Sequence, residues 1–89
     1  MQYKKPLTLP ATTPVVVNGS SANVRWQFDF TGSTGSVNIE ADAGAGFRIY
    51  DTILLTDLNR LPYVLEGEFK QFRITATVAC DCYICANRV

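Results

Sequence analysis

Seven consecutive residues, Val24-Arg25-Trp26-Gln27-Phe28-Asp29-Phe30, alternate apolar and polar side chains without a break. Successive side chains of an extended chain point to opposite faces. Val24, Trp26, Phe28 and Phe30 therefore share one face, and Arg25, Gln27 and Asp29 share the other. That period of two is the mark of a strand with one face buried. The pattern returns from Ser36 to Asp42, with Val37, Ile39 and Ala41 inward. It returns again near the C-terminus, where Phe72, Ile74, Ala76, Val78, Cys80, Cys82 and Ile84 fall on one side of a single long final strand. The only helical spacing is Leu54, Leu58, Leu61 and Leu65. Pro62 interrupts it, and a proline inside a helix costs about 3 kcal/mol. The segment admits at most one helical turn near Thr56–Leu61, with Thr56 as its cap.

Turn residues separate these segments. Asn18-Gly19 follows the β-branched run Val15-Val16-Val17 and predicts a tight turn with positive φ angles. Thr31–Gly35, Ala43–Gly46 and Glu66-Gly67-Glu68 read as further turns, with strands opening at Phe47 and Ile53. About seven short strands and no long helix predict an all-β fold, a small antiparallel β-sandwich or jelly-roll-like barrel. A chain of 89 residues suffices for one such domain. Pro6, Pro10 and Pro14 set residues 1–14 apart as an extended N-terminal arm before a domain over 15–89. Within the arm, Leu7-Thr8-Leu9 could still pair as an edge strand.

Charge and composition exclude several function classes. Eight basic residues balance eight acidic ones, which argues against a nucleic-acid partner. There is no histidine, so His-based acid–base chemistry and His-ligated metal are excluded. No run approaches the roughly 20 apolar residues of a membrane span, so no membrane insertion is expected. Lys4-Lys5 leads into a proline-broken segment rather than a signal-peptide core, which predicts a chain made in a cytosol. Cys80, Cys82 and Cys85 form C-x-C-x-x-C. As a zinc site they supply three ligands where a structural site takes four, and Cys85 points away from the other two. A disulfide would leave one thiol over. Small, apolar strand residues are the simpler reading. Glu66 with Glu68, and Asp42 with Asp51, lack the cleft of a glycosidase pair and the oxygen spacing of a calcium loop. No helix follows Gly44 and Gly46 to make them a phosphate loop. No catalytic residue and no cofactor are predicted.

The aromatic residues offer two readings. Trp26 lies in phase with Phe28 and Phe30, which predicts a place in the core. Alternatively, Trp26 and surface tyrosines could form the platform of a glycan- or receptor-binding module. Tyr50, Tyr63 and Tyr83 fall outside the inward pattern, which suits an interface. Tyr3, Leu7 and Leu9 make the arm too apolar for a free tail, and intermolecular contacts are expected for them as well.

The layout resembles a group of small structural proteins of bacteriophage virions. The likeness lies in the extended segment Leu7–Val15, in Phe30-Thr31-Gly32 followed by Val37–Gly44, and in Gly67–Thr77. It implies a β-sandwich component of heads, vertices or tails, of the capsid, cement or decoration kind, without catalytic residues. Its partners would be copies of itself, as a homo-oligomer, and other virion structural proteins. The cysteine-rich C-terminus is not part of the resemblance.

Overall fold

The computed structural model describes residues 3–57 and 62–88, with side chains for 7–57 and 62–87. Eight strands follow one another: β1 (Tyr3–Leu9), β2 (Val15–Asn18), β3 (Val24–Phe30), β4 (Ser36–Asp42), β5 (Phe47–Leu54), β6 (Tyr63–Gly67), β7 (Gln71–Ala76) and β8 (Cys80–Arg88). They form two four-stranded sheets of order β1-β8-β3-β6 and β2-β7-β4-β5. All strand pairs are antiparallel. Partners β1 with β8, β2 with β7, β3 with β6 and β4 with β5 describe one long hairpin ribbon, with the β4–β5 turn at its tip. Rolling the ribbon up adds the pairs β3 with β8 and β4 with β7. This is the eight-stranded jelly-roll form of the sandwich. Among the described residues no helix is long and apolar enough to cross a membrane.

Alternation drives the closure. The inward residues of β3, β4 and β7 meet in one core, where Phe28, Val37, Ile39, Phe72, Ile74 and Ala76 are wholly shielded from solvent. Trp26 packs edge-on to Phe72 at 4.9 Å between ring centroids, and Phe28 does so at 5.4 Å. No charged or polar residue is buried among those described.

Four expectations change. The extended arm is a strand of the domain itself: Tyr3–Leu9 pairs along its whole length with β8, and Leu9 is fully buried in the core. Ribbon folding requires this, because β8 would otherwise be an edge strand carrying buried Cys82 and Ile84. The long final strand is two strands in different sheets. The chain turns the corner at Thr77–Ala79, where the Thr77 N–H donates to the Ser36 carbonyl at 2.9 Å and Val78 is 46% exposed. Phe47–Leu54 is one strand, not two, with a bulge facing Ile39/Glu40. Together these give eight strands rather than about seven. Finally, Gly19 does not adopt positive φ. It is needed for close approach: its N–H donates to the Lys70 carbonyl at 2.8 Å, and a Cβ there would overlap the Phe69 carbonyl oxygen. Of the helical turn expected near Thr56–Leu61, residues 58–61 lie outside the described part. The turn before it is closed by the Asp57 N–H to the Leu54 carbonyl at 3.0 Å.

Candidate functional site

An eight-stranded jelly roll leaves four edge strands, here β1, β6, β2 and β5. An unpaired edge is a template for another strand unless something blunts it. Each edge here carries such a device. Strand β1 has Pro6 at its centre. Strand β2 is four residues long, and β6 is five and ends on Gly67 at φ +153°. Strand β5 has the bulge: Ile39 pairs with Asp51 while Glu40 pairs with Ile49, leaving Tyr50 as the extra residue. Association by strand addition is therefore disfavoured on every edge.

The outer face of the β2-β7-β4-β5 sheet is different. Cross-strand pairing lines up Val16, Arg73, Glu40 and Ile49 in one row. The flanks of the row are apolar and open, with Val16 51% and Ile49 68% exposed. Its centre is a forked ion pair. Arg73 Nε donates to Glu40 Oε1 at 3.0 Å, and Arg73 Nη2 donates to Oε2 at 2.7 Å. The guanidinium also lies 4.4 Å from the centroid of the Phe47 ring. The Arg73 hydrogen bonds hold the Glu40 carboxyl below its ordinary range, against the opposing effect of burial. The same bonds push the arginine up. The two charges thus cancel locally. The outer side of β5 continues the apolar surface with Phe47, Ile49 and Leu54, the last 58% exposed, interrupted by Thr52, whose hydroxyl donates to Asn38 Oδ1 at 2.8 Å.

The residues singled out from the sequence are dispersed. Trp26 is 3% exposed, which removes it from any surface platform. Leu9, expected at an intermolecular contact, is core, because the β1–β8 register places it opposite Cys80 on the inward side. Leu7 and Tyr63 pack partly against the same core, and Tyr63 stands 6.2 Å from Phe28. The Tyr3 side chain lies outside the described part. Tyr50 and Tyr83 are exposed on different sheets. Cys82 and Cys85 are both buried, on opposite faces of β8, with half-buried Cys80 on the Cys82 side. The C-x-C-x-x-C run therefore does not converge on one point, and among the described residues no three Cys, Asp or Glu stand around a common metal position. Cys85 points away from Cys80 and Cys82, as the alternation predicts, yet it is 1% exposed between strands β1 and β3. Burial raises the Cys80 thiol and pushes Cys82 up to about 12.

Val16, Phe47, Ile49, Leu54 and Arg73 escaped the sequence reading. The alternation pointed the wrong way here: Ile49 and Ile53, four apart, share a face in an uninterrupted strand, and only the bulge at Tyr50 turns Ile49 outward with Leu54 while Ile53 stays in the core.

No protein-family model matches the chain, and a search of curated proteins finds no match. Among solved structures it is similar to the Yersinia pseudotuberculosis-derived mitogen, with a TM-score of 0.55 over 100% of this chain and 86% of that one. The identity is 9%, so the likeness is one of fold alone.

Proposed function

We propose that this chain is a non-enzymatic structural protein of a phage particle, a minor capsid, cement or vertex component that contacts copies of itself and other virion proteins. The observation that carries the reading is the outer face of the β2-β7-β4-β5 sheet. Open Val16 and Ile49 flank an ion pair whose charges already cancel, and open Leu54 lies further along β5 on the same face. Interface cores are depleted in net charge and enriched in aromatic residues and arginine, as here. With the sheet edges blunted, the contact runs through this face. Four strands about 4.8 Å apart and seven residues at about 3.4 Å give roughly 450 Å² per copy, against roughly 800 Å² per partner in a stable pair. A contact of that size is weak singly and effective when repeated on a lattice.

Sedimentation of the wild type and of an Ile49→Asp, Leu54→Asp double variant tests the surface. Concentration-dependent association in the first and its loss in the second, with an unchanged melting curve, supports the face. A wild type that stays monomeric at millimolar concentration counts against it. Mass spectrometry of purified virions tests the particle assignment, which fails if the chain is found only in the soluble fraction of lysates.

A further inference from the structure

At the open end of the sandwich, beside the β4–β5 turn, lies a groove of about 440 Å³. That volume is within the range of small-molecule sites. Core residue Ala41, the loop Ala43–Gly46, Arg48 and Tyr50 line it.

Three features make the groove more than a gap between loops. First, the loop is held in shape. Asp42 Oδ1 accepts the Gly44 N–H at 2.7 Å and the Gly46 N–H at 3.1 Å. Gly44 and Gly46 have φ of +125° and +93°, values that L side chains rarely adopt. A Cβ on Gly46 would meet nothing within 4 Å, so the loop backbone is open to a ligand. Second, the bulge at Tyr50 shifts the phase of β5. Arg48 pairs with inward Ala41 and so points to the groove side of the sheet. Among the described residues its guanidinium has no hydrogen bond and no ion pair, whereas Arg73 is forked onto Glu40. A second cation stands nearby, with Lys70 Cε 4.0 Å from the position a Gly44 Cβ would take. Third, Tyr50 is fixed from behind. Its ring stands at 86° to Phe69, 5.4 Å between centroids, and Phe69 packs in turn on Phe72 of the core. The ring is nevertheless 44% exposed.

We infer that this groove binds a monosaccharide unit carrying a carboxylate. The planar, permanently charged guanidinium of Arg48 matches a carboxylate in forked geometry. The Tyr50 ring offers an apolar surface with a polar tip for the sugar ring. The side-chain-poor loop lets sugar hydroxyls approach the backbone. Asp42, the carboxylate at the start of the loop, already accepts from two amides. The competing role for Arg48 is that of an inward-pointing charge guarding the β5 edge, which requires no ligand.

Titration of the ¹⁵N-labelled full chain with glucuronate, glucose and acetate, each to the same millimolar concentration, separates these. The expected result is saturable shifts at Gly44, Gly46, Arg48 and Tyr50 with glucuronate, at least about tenfold weaker with either fragment. Arg48→Gln should abolish the shifts while leaving the melting temperature in place. Lack of saturation with glucuronate, equal affinity for acetate, or undiminished binding by Arg48→Gln each overturns the inference. Self-association of Arg48→Gln together with no glucuronate binding by the wild type assigns Arg48 to edge protection instead. The binding readouts depend on neither the particle assignment nor the outer face of the sheet, and for self-association the Ile49→Asp, Leu54→Asp background removes the contribution of that face.

Discussion

Replacing Leu9 with alanine tests whether β1 belongs to its own sandwich in solution. Leu9 is 0% exposed, inside the core, at the end of a strand that pairs over Tyr3–Leu9 with β8. The substitution removes three carbons, about 2.4 kcal/mol at about 0.8 kcal/mol per buried methylene. The cavity left behind adds to this, and fully buried leucines replaced by alanine lose about 2.7–5.0 kcal/mol. A domain of 89 residues at roughly 0.05–0.15 kcal/mol per residue holds only about 4–13 kcal/mol in all. The variant should therefore lose a large share of its stability. At about 4–8 °C per kcal/mol for a domain of this size, its melting temperature should fall by at least about 10 °C. Urea titration followed by Trp26 fluorescence measures the loss as a shift of midpoint at unchanged slope. Leu7→Ala, at a partly buried position, should cost clearly less. A Leu9→Ala cost under about 1 kcal/mol would refute the reasoning, since no core leucine is so cheap. It would mean that β1 leaves β8 in solution and that the segment does behave as an arm.

Trp26→Ala should cost about 3–5 kcal/mol and leave the chain near the limit of folding, read by loss of cooperative melting. Thr12 holds φ at +58° with its N–H donated to the Ala76 carbonyl at 2.7 Å, so Thr12→Gly should relieve strain and raise the melting temperature by a few degrees. Because Arg73 lowers the Glu40 carboxyl, the pair contributes stability above the unfolded glutamate range near pH 4.5 and loses it as pH falls through the lower folded value. Wild type and Glu40→Gln melting temperatures should thus differ at pH 7 and converge toward pH 3. With its thiol pushed up to about 12, Cys82 should resist alkylation at pH 8 in the native protein and react only after denaturant is added.

The fold class follows from local pattern. Alternation in Val24–Phe30 and Ser36–Asp42 demanded two strands with one apolar face each, and both segments form strands with those bounds. Trp26 in the core follows from the same periodicity. Strand membership in a sheet does not, because pairing is decided by partners far along the chain. Nothing local distinguishes Tyr3–Leu9 as an arm from Tyr3–Leu9 as the partner of β8, some eighty positions away. The two prolines flanking Leu7-Thr8-Leu9 suit either state, and only closing the ribbon buries Leu9. The corner at Thr77–Ala79 is equally silent, since Phe72–Ile84 keeps its alternation across it while the chain passes from one sheet to the other. The candidate surfaces depend on a single bulge. By leaving Tyr50 unmatched, it turns Ile49 outward beside Glu40 and Arg48 toward the groove beside Ala41, a phase change set by the β4–β5 register rather than by the identity of any one residue.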